Sequence, residues 1–159
     1  MRESGILMHI TSLPAPYGIG TMGKDAYAFV DFLVRAGQRY WQILPLTPTG
    51  YGDSPYQSLG ACAGNHYLID LDRLADEGLL KKEEIQNIPW GSNPARVDFG
   101  AMYAHRMNVL RQAFQRFTPD GAYETFVEQN RNWLEDYALF TALKDTPVSY
   151  THLTLPTKL

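Results

Sequence analysis

The chain has 159 residues, enough for one ordinary domain with a core, and is 45% hydrophobic, 13% aromatic and 19% charged. A net charge of −3 supplies no basic stripe of the kind that holds nucleic acid or an anionic membrane surface. A lone cysteine, Cys62, excludes a disulfide framework and a cysteine-rich metal site.

Taken in order, Gly5–Ile10 reads as a short buried strand, and Thr11–Gly18 as turn chemistry. Asp25–Ala36 reads as an amphipathic helix, because Ala26, Phe29, Val30 and Leu33 fall at i, i+3, i+4 and i+7. Thr21 or Lys24-Asp25 marks its start, and Gly37 stands where a left-handed C-terminal residue is wanted. Tyr40–Leu46 reads as a second strand. Strand, helix and strand in this order predict two parallel strands joined by a right-handed crossover. After His66–Leu71 the chain turns helical. Asp72–Leu80 reads as a short helix ending near Gly78. Ala101–Phe117 places Met102, Arg106, Val109, Leu110 and Ala113 at helical spacing, and Tyr123–Leu143 repeats the pattern with Phe126, Trp133 and Tyr137. Residues 146–159 are rich in Thr and Pro and carry no acid. They read as a non-native tail, with a natural β-prone tail as the alternative, and are set apart from fold reasoning. The resulting division is 1–71, 72–145 and 146–159.

Gly18-Ile19-Gly20-Thr21-Met22-Gly23 matches G-x-G-x-x-G and precedes a helix, as a dinucleotide-binding loop would. That fingerprint needs its first glycine directly after the strand, but Thr11–Tyr17 intervene. It also needs an acid at the end of the second strand, and that strand ends Ile43-Leu44-Pro45-Leu46. The nucleotide reading is set aside in favour of a tight loop.

Tyr51-Gly52-Asp53-Ser54-Pro55-Tyr56-Gln57-Ser58 follows the second strand, where the ligand-facing loops of α/β barrels lie. Tyr51 and Tyr56 suit stacking on pyranose faces, and Asp53, Ser54 and Gln57 suit hydroxyl contacts. Each has a plainer alternative: Tyr56 as packing beneath the loop, Asp53 as a surface turn residue beside Gly52. His9 and Gln42 read as satisfied groups of the strands, and Trp41 as packing between strand and helix. Cleavage of a glycosidic bond needs two carboxylates, roughly 5 Å apart in retaining enzymes. No such pair stands out. Asp70 and Asp72 lie at the entry to the helical half, and Asp76, Glu77, Glu83 and Glu84 read as a solvated face.

Several motifs in order now carry a resemblance: Ser12-Leu13-Pro14, Gly18-Ile19-Gly20-Thr21, Tyr40–Leu46, Gly50–Gln57, Gly64–Leu71 and Val97-Asp98-Phe99-Gly100. Over about residues 3 to 145 the chain resembles the N-terminal part of the amylomaltases, the bacterial 4-alpha-glucanotransferases also called disproportionating enzymes. The resemblance implies an α/β fold, part of a (β/α)8 TIM barrel holding its first two strands, with a helical insertion subdomain. It implies transfer of α-1,4-glucan segments between maltooligosaccharides through a covalent β-glycosyl intermediate, with no metal and no organic cofactor. By position, Tyr56 is similar to the ring that stacks beside the scissile bond, with Ser54 a neighbouring contact and Asp53 and Gln57 in the same substrate-binding block. Tyr51 and Tyr103 are similar to a secondary glucan-binding patch. The family's nucleophile and acid/base have no counterpart here and are expected beyond Leu159. No catalytic residue is therefore assigned within the chain. It reads as a truncated, inactive piece, or alternatively as a non-catalytic glucan-binding module. A debranching hydrolase of the wider α-amylase clan fits the Asp53–Gln57 block less well. No secretory segment opens the chain, no apolar run approaches the roughly 20 residues of a membrane span, and a cytoplasmic location is expected.

Overall fold

Residues 24 to 42 set the frame of the computed structural model, which describes residues 2–50, 52–93 and 95–145. Helix α1, Lys24–Arg35, ends in a Schellman motif. The Gln38 N–H donates to the Leu33 carbonyl at 2.9 Å and the Gly37 N–H to Val34 at 3.1 Å, while Gly37 takes φ 68°. Strands β1, Gly5–Leu7, and β2, Tyr40–Gln42, flank α1 in sequence and pair in parallel, Gly5 opposite Tyr40, Ile6 opposite Trp41 and Leu7 opposite Gln42.

Both strands are shorter than the sequence predicts. The ladder stops where partners stop: the Met8 N–H makes a last bond to the Gln42 carbonyl at 3.0 Å, and Ile10–Ser12 then winds into a 3-10 turn. On the other side Pro45 has no N–H to donate. Nor is β1 buried. Its three residues are exposed, and the cover on the pair reaches only Trp41, the one half-buried residue of β2. That cover comes from α1, whose Phe29 ring meets Trp41 edge-on with centroids 4.9 Å apart. Trp41 Nε1 also donates to the Met8 carbonyl at 2.7 Å, so Trp41 does lie between strand and helix. Ala26 and Phe29 pack on the buried cluster of Ile10, Leu13 and Leu68, Leu33 is buried, and Val30, expected on the same face, is exposed.

A larger apolar cluster lies under the helices. Tyr17 and Ile19 meet Leu71 of α2 (Leu71–Asp76), Ile85 of α3 (Lys82–Gln86), and Met102, Val109 and Ala113 of α4 (Phe99–Arg116). Leu71, Ile85 and Met102 are fully buried, each stabilising the fold by about 2 kcal/mol in transfer free energy. Helices α2 and α4 start on acids. Asp70 accepts the Arg73 N–H at 2.9 Å and Asp98 accepts the Ala101 N–H at 3.0 Å. Helix α2 is shorter than the predicted Asp72–Leu80, and α3 is not predicted at all. Glu84 of α3 reaches back to the Lys81 N–H at 2.9 Å and grips Arg116 of α4 with both oxygens, each at 2.7 Å.

The glycines of the G-x-G-x-x-G stretch have packing reasons. A Cβ on Gly20 would lie 2.0 Å from the Ile10 carbonyl oxygen, and one on Gly23 would lie 1.8 Å from Asp70 Oδ2. Asp70 Oδ2 also accepts the Thr21 hydroxyl at 2.5 Å, so this loop is built around a helix-capping carboxylate.

The chain divides into two compact units between Thr118 and Pro119. In the second, the single helix expected over Tyr123–Leu143 is two, α5 (Gly121–Gln129) and α6 (Arg131–Asp145). Asn130 makes the break. Its Nδ2 donates to the Phe126 carbonyl at 2.8 Å, and its Oδ1 accepts Trp133 Nε1 at 3.0 Å, so the side chain competes with the helical ladder. Among the described residues no helix is long and apolar enough to cross a membrane. Tyr51 and the stretch 146–159, both singled out in the sequence, lie outside the described residues. So does Leu159 itself, the position past which the sequence reading sets the catalytic acids.

Candidate functional site

Beyond β2 the chain leaves the sheet and closes on itself. Thr49 and Ser58 form an antiparallel bridge, and the Gly50 N–H donates to the Gln57 carbonyl at 3.0 Å. Two turns follow within this base: the Asp53 N–H donates to Gly50 at 3.2 Å, and the Gln57 N–H to Ser54 at 3.0 Å. Such a path needs left-handed backbone at its tip, supplied by Gly52 at φ 100° and Asp53 at φ 58°. Aspartate is among the few residues other than glycine that accept this conformation.

The loop gathers Asp53, Ser54, Tyr56 and Gln57 at one tip. Ser54 Oγ accepts the Tyr56 N–H at 3.3 Å and thereby shapes the turn. The Tyr56 side chain, 73% exposed, stands out into solvent rather than packing beneath the loop. Gln57 is exposed, while Asp53 and Ser54 are half-buried.

Asp53 is held from far along the chain. The Tyr103 hydroxyl, on α4, donates to Asp53 Oδ1. Burial around its oxygen, then the bond to the Asp53 carboxylate, raises the Tyr103 pKa above the ordinary tyrosine range. The Tyr103 ring meets Tyr67 edge-on at 6.0 Å, and Tyr67, itself buried, tilts against His66 at 4.4 Å. Burial, and then the Asp53 charge, also raises the Tyr67 pKa. The tie between residues 53 and 103 has no signal in the sequence beyond an acid in a tight loop.

One turn on from Tyr103, Arg106 is 0% exposed. Its Nη2 donates to the carbonyls of Tyr67, at 3.1 Å, and of Ile69. The guanidinium lies over the Trp90 ring, 5.7 Å from its centroid, while Nε and Nη1 have no partner among the described residues. Burial lowers its pKa to about 10. An arginine within an otherwise apolar helical pattern was the sequence signal for this group.

Three further acids near the entry to the helical half have structural work. Asp72 accepts the Tyr17 hydroxyl at 2.6 Å, Asp76 lies 3.9 Å from Lys82, and Glu77 accepts from Arg73 at 3.0 Å. His9 is half-buried with Nδ1 unpartnered among the described residues, and burial lowers its pKa. A cleft between residues 11–19 and 90–97 contains none of the loop-tip residues.

The chain has close relatives. A family model described as 4-alpha-glucanotransferase matches residues 8–158. A 4-alpha-glucanotransferase of Streptococcus pneumoniae is 50% identical over 147 residues, covering 91% of this chain, and one of Thermus thermophilus is 52% identical over 149 residues, covering 90%. The chain spans 29% of the length of each. Among solved structures, the amylomaltase from Streptococcus agalactiae in complex with acarbose superposes with a TM-score of 0.84 at 49% identity, covering 91% of this chain and 30% of that one. The chain therefore belongs to the 4-alpha-glucanotransferase family.

Proposed function

We propose that this chain supplies a substrate-binding part of a 4-alpha-glucanotransferase, an amylomaltase that moves α-1,4-glucan segments between maltooligosaccharides by a retaining, covalent mechanism. In this reading β1, α1 and β2 are the opening of a (β/α)8 barrel, and residues 72–145 are a helical insertion. Parallel pairing across the α1 crossover supports the first assignment. The observation that carries the function is the exposed phenol of Tyr56, on a turn whose Tyr56 N–H bonds Ser54 Oγ. An unburied aromatic on a hydrogen-bonded turn is a ready platform for the apolar face of a sugar ring. In this reading Ser54, Asp53 and Gln57 offer hydroxyl partners beside it, and Tyr103, with Tyr51, contributes a second contact for a longer glucan. The solved relative is in complex with acarbose, which supports an oligosaccharide ligand.

Bond cleavage belongs to residues outside this chain in the same reading, beyond Leu159. Its support is that Asp70, Asp72, Asp76, Glu77 and Glu84 are each engaged in caps or pairs. Two assays on the 159-residue chain test the proposal. Titration calorimetry with maltoheptaose is expected to show binding that Tyr56→Ala weakens by about tenfold, the order of one aromatic contact. Incubation with maltotriose is expected to yield neither glucose nor longer oligosaccharides. Undiminished affinity in Tyr56→Ala would remove the basis for the site, and glucose release would place cleavage within the chain.

A further inference from the structure

We infer that Tyr103 acts on the sugar loop through its hydroxyl, fastening Asp53 in its left-handed conformation and so positioning Tyr56. The inference rests on the glucan-binding reading of the loop, and it gives Tyr103 a role other than a stacking surface.

The loop has a firm base and a demanding tip. Its base is the Thr49–Ser58 bridge with the Gly50–Gln57 bond. Its tip turns through Asp53, a non-glycine residue at φ 58°, a conformation that costs free energy and persists where surrounding contacts hold it. The bond from Tyr103 is such a contact, since it joins the tip to a different element across 50 positions of sequence. Its acceptor is a carboxylate, which makes it stronger than a bond between neutral groups.

The donor is itself well anchored. Tyr103 lies on α4 between Met102 and Arg106, both 0% exposed. Arg106 binds the carbonyls of Tyr67 and Ile69, which fixes this turn of α4 against the 66–69 segment. The Tyr103 ring then rests edge-on against Tyr67, although the residue is 50% exposed overall. With the ring so supported, little side-chain freedom is lost in forming the bond. Asp53 Oδ1 is correspondingly occupied, and the carboxylate serves first as a tether and second as a contact for ligand.

Four variants separate this role from stacking and from strain. Tyr103→Phe keeps the ring and removes the donor. Asp53→Asn keeps an acceptor and the tolerance for positive φ. Asp53→Gly keeps the backbone and removes the acceptor. The fourth combines Tyr103→Phe with Asp53→Gly. Amide hydrogen exchange of the ligand-free chain is read at Asp53 and Gln57, and maltoheptaose affinity by calorimetry. Tyr103→Phe and Asp53→Gly are each expected to speed exchange at both amides by about tenfold and to weaken maltoheptaose by a similar factor. Asp53→Asn, which keeps an acceptor but loses its charge, is expected to fall between the starting protein and Asp53→Gly, and the double variant to be no worse than either single one. Wild-type exchange in Tyr103→Phe overturns the inference, as does additivity in the double variant. Weaker sugar binding with unchanged exchange also overturns it, because the hydroxyl would then touch the sugar itself. If the starting chain does not bind maltoheptaose, the glucan reading fails while exchange still decides the tether. Should Asp53→Gly not fold, Tyr103→Phe against Asp53→Asn gives the same decision.

Discussion

Arg106 occupies an inward position of α4 where its neighbours at helical spacing are Met102, Val109 and Ala113. A buried cation is costly, and here two carbonyls and the face of Trp90 offset that cost only in part, with Nε and Nη1 left unpartnered among the described residues. The balance leads to a comparison of two variants. Arg106→Ala leaves a void and two stranded carbonyls, and is expected to destabilise the chain by about 3 kcal/mol or more. Arg106→Met fills the same volume without a charge, and is expected to cost clearly less. Urea unfolding of both variants checks the order, and equal losses would show that the two carbonyl bonds outweigh the burden of the charge. At this scale the sequence was only partly legible. That Tyr56 belongs to a polar loop beyond the second strand could be read from its neighbours alone, because loop composition is local, and the structure leaves its side chain exposed there. The pairing of Asp53 with Tyr103 could not, because it depends on how α4 is laid beside the loop.

Helix ends and strand ends are where individual residues become elements. Gly37 is the clearest case: its left-handed φ of 68° completes the Schellman bonds of α1, and no heavy atom lies within 4 Å of a Cβ built there. Gly37→Ala should therefore cost about 1 kcal/mol from backbone conformation alone, with no steric addition, read as a lower melting temperature. A second test concerns the clasp between α3 and α4. The bidentate bond from Arg116, and then the Lys81 N–H, lower the Glu84 pKa from 4.5 to about 2. A depressed carboxylate stabilises the fold above its unfolded pKa and loses that contribution as acid is added. Stability should hence decline between about pH 4.5 and about pH 2 through this group. Glu84→Gln should flatten part of the decline in an acid series of thermal melts. An unchanged slope would assign acid sensitivity elsewhere. Helix α1 was legible because periodicity and a terminal glycine agree. Helix α3 was not, being only Lys82–Gln86 and resting on a long-range ion pair. The strands were overextended in prediction because apolar runs continue past the last residue that finds a ladder partner.

Several large apolar side chains of the first unit are open to solvent. Tyr27 and Val34 lie on the outer side of α1, 68% and 70% exposed, and Leu7 and Tyr40 of the two-stranded sheet are also open. Patches of this kind invite association, and each strand has one edge with no partner strand among the described residues. The isolated chain is expected to bind the dye ANS in its native state and to sediment as concentration-dependent assemblies. Tyr27→Lys with Val34→Lys should reduce both signals, and a monodisperse monomer without dye binding would contradict the expectation. The class of fold was legible at this scale from the order strand, helix, strand. The break at Asn130 was not, since Tyr123–Leu143 keeps helical spacing on both sides of it.

Each tryptophan occupies a different neighbourhood: Trp41 against Phe29 in the sheet layer, Trp90 beneath Arg106 in the larger cluster, and Trp133 bonded to Asn130 in the second unit. The molecule thus carries three native fluorophores, one for each region whose melting one would want to follow. Replacing two of them at a time by Phe leaves a single emitter. Comparing the three resulting denaturation curves would reveal whether the regions come apart together or in succession.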